Sequence, residues 1–273
     1  MKNKTTKMED LSNLLTPPTP FEMDLPWENY SFSKRFYNIV NDWGIPTEKE
    51  VNFIRSYVKS SNFRILDLTC GGGRHALGLA RFGYNVTAID IGGYPVEYAR
   101  QTARRKGYKI KFIRNDVRKI KYENEFDLAF LICGQLGHFS PADALRIFKN
   151  SALALTDSGV FIIHLPVFGP DDMANRVHWY REKRPFYFPH PSIVHREQYY
   201  FENQKIKLIR DFAIDTATRK NRLFGISEKN YVPEEIIGFG KDCNFELLEM
   251  FGSYDKDPLS EDSSDNIYIF TKK

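Results

Sequence analysis

Between residues 64 and 165 short apolar runs alternate with stretches of helical periodicity, and this alternation limits the fold more than any other feature of the sequence. The apolar runs predict strands at residues 64–68, 85–89, 110–113, 126–132 and 159–165. The periodic stretches predict helices at residues 74–81, 96–106 and 142–155. Strands that alternate with helices favour a parallel sheet covered by helices, with ligands bound outside the carboxyl ends of the strands.

The pattern changes after Pro166, where bulky alternating stretches replace the helix signal. These stretches, at residues 194–201, 205–214 and 222–232, predict antiparallel strands. A helix that opens at Pro233 and strands at 245–251 and 266–271 then resume the earlier pattern. The predicted organisation is a mobile segment at residues 1–20, a core with an N-terminal helical cap at 21–165 and 233–273, and an inserted substrate-binding lid at 166–232.

Charge and cysteine content disfavour several classes of protein. The chain has 39 Lys and Arg against 35 Asp and Glu, a net charge of +4 over 273 residues, which disfavours a nucleic-acid partner. Its cysteines, Cys70, Cys133 and Cys243, are too few and too scattered for a disulfide framework or a zinc ribbon, so we expect a cytoplasmic protein without a metal. No apolar run approaches the roughly 20 residues of a membrane span, and we expect no membrane partner.

The first predicted strand runs into a glycine loop. Gly71, Gly72 and Gly73 allow positive φ angles and a close approach of a ligand to the backbone. The loop also fits a dinucleotide fingerprint, but the carboxylate of Asp67 just before it would oppose a pyrophosphate. S-adenosylmethionine suits the loop better, because it has no phosphate and its ammonium group can pair with an acid.

Later acids strengthen this interpretation, since Asp90 follows the second predicted strand and Asp116 the third. Three strand ends thereby direct acids into one cleft. Each acid alone also fits a helix cap or a loop acid, and for Asp116 we weigh this structural interpretation equally with cofactor binding. With these residues the sequence resembles the class I S-adenosylmethionine-dependent methyltransferases, in their small-molecule branch of methyltransferase type 11/25. Residues 65–80 look like the ILDLxCGxGRHAxxLA stretch of that branch.

The resemblance implies a fold class and a set of cofactor residues. The fold would be α/β, a Rossmann-like three-layer sandwich with a mixed seven-stranded sheet and an antiparallel β lid inserted after the fifth strand. Asp67 and the backbone at Thr69–Gly73 would hold the methionine end of the cofactor, Asp90 its ribose, and Asp116 with Val117 its adenine. Thr69 departs from the glycine that the family usually has there. The complete set of expected cofactor-binding residues is Tyr30, Asp67, Thr69, Gly71, Gly73, Asp90, Ile91, Asp116, Val117 and Cys133.

Methyl transfer needs alignment and exclusion of water more than it needs a nucleophilic side chain. We therefore expect a sparse catalytic apparatus, with His138 at the end of the fourth predicted strand as the general base or as the group that orients the acceptor. The alternative is that His138 only hydrogen-bonds its own loop.

The acceptor is expected to be a small molecule methylated on nitrogen or oxygen. Residues 174–196 are basic and suggest an anionic acceptor, whereas aromatic side chains concentrated at residues 21–37 and 179–201 suggest a cationic or planar one. A methyltransferase acting on a peptide or RNA, a non-enzymatic S-adenosylmethionine-binding protein and, last, a dehydrogenase are the alternatives. The lid is also where we expect two copies to meet if the protein is a homodimer.

Overall fold

The computed structural model describes residues 18–23, 26–40 and 47–273, and for residues 38–40 it describes the backbone alone. Most of the segment predicted to be mobile, residues 1–17, lies outside the described residues. The helices are α1 Tyr30–Val40, α2 Thr47–Arg55, α3 Arg74–Ala80, α4 Gly93–Lys106, α5 Pro141–Ala154 and α6 Pro233–Asp242. The strands are β1 Arg64–Leu68, β2 Asn85–Asp90, β3 Ile110–Arg114, β4 Phe126–Leu131, β5 Leu155–Pro166, β6 Arg176–Glu182, β7 Ser192–Phe201, β8 Ile206–Asp215, β9 Asn221–Lys229, β10 Phe245–Phe251 and β11 Asp265–Lys272.

Seven strands form a mixed sheet in the order β3-β2-β1-β4-β5-β11-β10. The first five in chain order are parallel to one another, while β11 runs antiparallel to both β5 and β10. The strand order reverses direction between β1 and β4, so a crevice opens at the carboxyl ends of these two strands. The predicted mixed seven-stranded sheet is confirmed.

Helices cover both faces of this sheet, because its central strands are apolar on both sides. On one face Phe148 of α5 and Ile236 of α6 pack against Phe161 of β5, and all three are fully buried. On the other face Ile54 of α2 and Leu79 of α3 belong to a second buried cluster. Two apolar layers on one sheet make the three-layer sandwich that the sequence predicted.

The segment after β5 forms a separate antiparallel sheet in the order β6-β7-β8-β9, as predicted for the insertion. One face of this second sheet packs on α1 through a small apolar cluster that includes Phe32, Val194 and Phe224. The first of its strands, β6, was not predicted from the sequence.

No helix among the described residues is long and apolar enough to cross a membrane.

Candidate active site

A cavity of about 500 Å³ lies at the carboxyl ends of the parallel strands, where ligands bind in open α/β sheets. This volume is within the range of small-molecule and cofactor sites. Nine of the residues predicted to take part in the site line it, namely Asp67, Thr69, Gly71, Asp90, Ile91, Asp116, Val117, Cys133 and His138.

The glycine loop connects β1 to α3 through three residues with positive φ. Thr69, Gly71 and Gly73 have φ angles of 65°, 53° and 79°, so Thr69 adopts a left-handed conformation that favours glycine. Gly73 does not line the cavity, although it was expected to bind the cofactor. It caps α3, and a Cβ there would lie 2.8 Å from the Phe112 ring, so its lack of a side chain serves the close packing of loop and sheet.

Asp67 is the least solvated acid of the cavity, with 2% of its surface exposed. Its Oδ2 atom is buried and has no hydrogen-bond partner among the described residues. Burial, together with the nearby charge of Asp90, raises the pKa of the Asp67 carboxyl well above its ordinary value. A buried carboxylate oxygen without a partner costs free energy unless a ligand completes its hydrogen bonds, and a cationic group would do so best.

Asp90 ends β2 and connects two loops by hydrogen bonds. Its Oδ2 accepts a hydrogen bond of 2.8 Å from the backbone N–H of Gly71, and its Oδ1 accepts one of 2.7 Å from the backbone N–H of Gly92. Burial raises the pKa of the Asp90 carboxyl, and the two backbone N–H groups oppose this effect. Each carboxylate oxygen can accept a further hydrogen bond, so Asp90 can hold the loop and a hydroxyl group together.

Asp116 combines the two roles that the sequence left open. It caps the short 3-10 turn at Val117–Lys119 by accepting a 2.9 Å hydrogen bond from the backbone N–H of Arg118. The Arg118 guanidinium also donates to both carboxylate oxygens. Burial alone would raise the pKa of Asp116, but the hydrogen bonds from Arg118 outweigh it and lower that pKa. Asp116 therefore caps the turn, carries a negative charge and still lines the cavity.

Tyr30, which was expected among the cofactor-binding residues, does not lie at the cavity. It is 49% exposed and donates a 2.7 Å hydrogen bond to Glu97. Tyr37, two helical turns further along α1, lies at the cavity instead. Its hydroxyl lies so close to the glycine loop that a Cβ on Gly71 would be 2.5 Å from it. The helix thus places its second tyrosine, and not its first, over the loop.

A buried polar network beside Cys133 was not predicted. Glu50 of α2 lies 2.9 Å from His75 Nε2, and Arg74 donates to Glu50 and, over 2.7 Å, to Cys133 Sγ. Burial would raise the pKa of Glu50, but the hydrogen bonds from His75 and Arg74 lower it to about 2. Burial raises the pKa of Cys133 to about 12, so its thiol is not an activated nucleophile.

Glu50, His75 and Cys133 place ligand atoms within 4.8 Å of one another, which is the spacing of metal ligands. The Arg74 guanidinium already donates to two of them and supplies the positive charge that the buried carboxylate requires. Glu50 lies 21 residues before Gly71, and no local pattern connects the two in the sequence.

His138 ends a 3-10 turn after β4, and the inserted sheet holds its ring. Its Nδ1 lies 3.1 Å from the carbonyl oxygen of Ser227, a geometry that requires the proton on Nδ1. Its Nε2 lies 3.9 Å from Glu228 Oε1, and its ring meets the edge of Trp27 with 5.3 Å between centroids. Burial lowers the pKa of His138, and the charge of Glu228 partly opposes this. A neutral ring with a defined tautomer therefore lies at the cavity.

The wall opposite the strand ends is aromatic and comes mainly from the N-terminal region. Its aromatic side chains are Trp27, Phe32, Phe36, Tyr37 and Phe139. The basic residues of the lid lie elsewhere: Arg184 pairs with Glu182 and Arg196 with Asp211, and no residue of 166–232, all of which the structure describes, lines this cavity.

Residues 65–159 match a protein family described as a methyltransferase domain. Among curated relatives, a ubiquinone biosynthesis O-methyltransferase of Rickettsia canadensis is 38% identical over 77 residues, which cover 28% of this chain and 32% of that protein. The chain thus spans about a third of the length of that relative.

Two solved structures have the same fold. One is an S-adenosylmethionine-dependent methyltransferase from Clostridium acetobutylicum, with a TM-score of 0.69 and 18% identity over 89% of this chain and 98% of that chain. The other is CalS10 with bound S-adenosylmethionine, an amino pentose methyltransferase from Micromonospora echinaspora, with a TM-score of 0.59 and 14% identity over 87% of this chain and 96% of that chain. The resemblance inferred from the sequence is confirmed: the chain has the class I S-adenosylmethionine-dependent methyltransferase fold, and its residues 65–159 match the methyltransferase-domain family.

Proposed function

We propose that this protein is an S-adenosylmethionine-dependent methyltransferase that transfers a methyl group to nitrogen or oxygen of a small-molecule acceptor. The observation that carries the proposal is the buried Oδ2 of Asp67, which has no hydrogen-bond partner among the described residues and lines the cavity beside the glycine loop. An ammonium group with three N–H donors meets that requirement, and a pyrophosphate would not.

The residues around Asp67 fit the other parts of the same cofactor. Asp90 would accept hydrogen bonds from the two ribose hydroxyls, with Ile91 beside it, while Val117 would pack against the adenine ring and Asp116 would accept from the adenine amino group. The backbone from Thr69 to Gly71, and Cys133 opposite it, would enclose the methionine end. When bound, S-adenosylmethionine supplies a methyl group that its positively charged sulfur already activates.

His138 is the proposed general base. With its proton held on Nδ1 by the Ser227 carbonyl, Nε2 has the lone pair that can accept a proton from an acceptor N–H or O–H. The nearby carboxylate of Glu228 would stabilise the imidazolium that forms. The inserted sheet supplies both partners from β9. This contact supports the proposal that residues 166–232 act as a lid, although they reach the site only through His138 and none of them lines the cavity.

The acceptor side favours a planar or cationic small molecule over an anionic one. Aromatic rings, with Trp27 nearest to His138, form the wall, and they attract cations and stack on planar groups. Two proteins named above are described as a ubiquinone biosynthesis O-methyltransferase and an amino pentose methyltransferase, and both descriptions support a small-molecule acceptor. Three unpaired cysteines support a reducing, cytoplasmic location.

Replacing Asp67 with asparagine tests this function directly. The variant keeps the side-chain volume but removes the charge that would pair with the ammonium group, so affinity for S-adenosylmethionine should fall about 10- to 100-fold in calorimetric titration. Asp127→Asn is the matched control, because Asp127 lies on β4 and pairs with Arg64 near the opposite ends of the strands. Equal affinity in wild type and Asp67→Asn would contradict the proposal.

A further inference from the structure

Strand β6 is an open edge of the inserted sheet. It pairs with β7, and among the described residues no other strand pairs with it. Every second backbone N–H and C=O group along such an edge points away from the sheet, so the edge can accept a further strand. Natural edges of this kind are usually shortened, covered or interrupted by proline, and the seven residues Arg176–Glu182 contain no proline.

The other edge of the same sheet, strand β9, is covered. The backbone N–H of Phe21 donates a 2.9 Å hydrogen bond to Ser227 Oγ, and Met23 packs against Gly225. Only β6 therefore offers an uncovered edge in the described part of this sheet.

The outer face of the sheet beside β6 carries exposed apolar side chains, with Arg181 and His195 among them. Val177 and Trp179 on β6 are 64% and 61% exposed, and Ile193 on β7 is 41% exposed. Their cross-strand register places them on one face, since Arg181 is opposite Ile193 and Trp179 is opposite His195. Exposed apolar side chains next to an unpaired edge are typical of a surface that another chain covers.

We propose that a second copy of this chain pairs antiparallel with β6 about a two-fold axis through Trp179, so that two four-stranded sheets become one sheet of eight strands. The pairing would be isologous, each residue meeting its counterpart across the axis. Residues that face each other in an antiparallel pair lie on the same side of the sheet, so only registers centred on a residue are allowed. The register centred on Trp179 is the one that pairs all seven residues of β6.

Charge supports this register. Centred on Trp179, it places Arg176 of each copy opposite Glu182 of the other, which gives one favourable pair at each end of the joined strands. Within each copy Arg176 already pairs with Asp171 and Glu182 with Arg184, so each cross-strand pair would add to an ion pair of the single chain. The two Trp179 rings meet at the centre on the apolar face, where each already packs on His195 with 4.5 Å between ring centroids. Opposite charges at the ends and large apolar rings in the middle match a self-complementary interface.

A crosslinking experiment tests the register. The wild-type full-length chain should have twice its 31.9 kDa mass in light scattering at micromolar concentration. Residues directly opposite each other have Cβ atoms about 4.5–5.5 Å apart, so Trp179→Cys should form a covalent dimer on addition of oxidised glutathione. Leu223→Cys is the control, because Leu223 is 44% exposed on the same face but lies on β9, at the opposite side of the sheet from β6.

Charge reversal gives a second, independent result. Arg176→Glu and Glu182→Arg should each weaken the dimer about tenfold, because each places like charges at both ends of the joined strands. An equimolar mixture of the two variants should recover wild-type affinity as a heterodimer, since every end then has one charge of each sign. A monomeric wild type, a Leu223→Cys crosslink without a Trp179→Cys crosslink, or a mixture no tighter than its components would overturn the proposal.

Discussion

At the scale of single residues, the site contains acids whose pKa values are shifted in opposite directions. Asp67 has a pKa raised by burial, while Asp116, also near the cavity, has a pKa lowered by Arg118. The difference follows from their partners, because a guanidinium neutralises Asp116 and no described group donates to Asp67 Oδ2. The carboxylate without a donor is the one expected to change its protonation when a cationic ligand binds.

Binding of S-adenosylmethionine should therefore be linked to proton release. An ammonium group favours the ionised form of Asp67, so its raised pKa falls on binding and affinity increases as the pH rises through the raised pKa of the unliganded protein. Calorimetry in two buffers of different ionisation enthalpy measures the protons released. Titrations that give the same heat in both buffers would show that Asp67 does not change its protonation.

His138→Ala should lower kcat about 100-fold or more, because the variant lacks the group that accepts the acceptor's proton. Burial lowers the pKa of His138 below its ordinary value of 6.5, so the ring is neutral at pH 7 and activity should fall only as the pH drops below 6.5. Affinity for S-adenosylmethionine should stay unchanged. An unaltered kcat in His138→Ala would leave this residue only a structural role, through its hydrogen bond to the Ser227 carbonyl of β9.

At the scale of elements, the strands and helices of the core were predictable and the details of the site were not. Strands β1, β2 and β4 have strong apolar runs because both of their faces are covered, and each run is visible in the sequence. Strand β6 lacks such a signal, because as an exposed edge it buries little on either face. The glycine loop and its following acids were found from local spacing alone.

Contacts between distant elements could not be predicted from the sequence. Tyr30 and Tyr37 lie seven residues apart and share one side of α1, so helical periodicity does not tell which of them reaches the loop. The packing of α1 on α4 decides which tyrosine reaches the loop, and it leaves Tyr30 hydrogen-bonded to Glu97. Glu50 likewise meets Arg74 and His75 only because α2 packs beside α3.

Glu50 should stabilise the packing of α2 on α3. Removing its charge in Glu50→Gln leaves the partly buried Arg74 without its charged partner, and we expect a loss of about 3 kcal/mol in the free energy of unfolding. Glu48→Gln is the control on the same helix, since Glu48 is exposed and its pair with Arg81 should contribute less than about 1 kcal/mol. Urea unfolding of the three proteins measures the difference, and equal losses would show that burial of the pair is irrelevant.

The same carboxylate predicts a direction for acid unfolding. The folded pKa of Glu50, about 2, is depressed below the ordinary value of 4.5, so its contribution is complete above pH 4.5 and is lost as the pH falls towards 2. Wild type should therefore lose its stability advantage over Glu50→Gln within that window. A difference between the two proteins that does not change from pH 6 to pH 2.5 would contradict the assignment.

At the scale of the whole molecule, one sheet provides the proposed cofactor residues and a second sheet supports the candidate base. The carboxyl ends of the parallel strands bring Asp67 and Asp90 to one cavity, and the inserted sheet holds His138 from the other side through Ser227. In the proposed function, this arrangement would separate the cofactor, on the core, from the acceptor, near the insertion and the aromatic N-terminal residues. Variation in the insertion would then change the acceptor without altering the cofactor site.

The central claim is that this cavity binds S-adenosylmethionine, and calorimetric titration of the wild-type full-length chain tests it most directly. The account predicts saturable one-to-one binding of S-adenosylmethionine and of its demethylated product, with no heat of binding for NAD, because a pyrophosphate would face Asp67. Binding of NAD with no response to the other two compounds would contradict it.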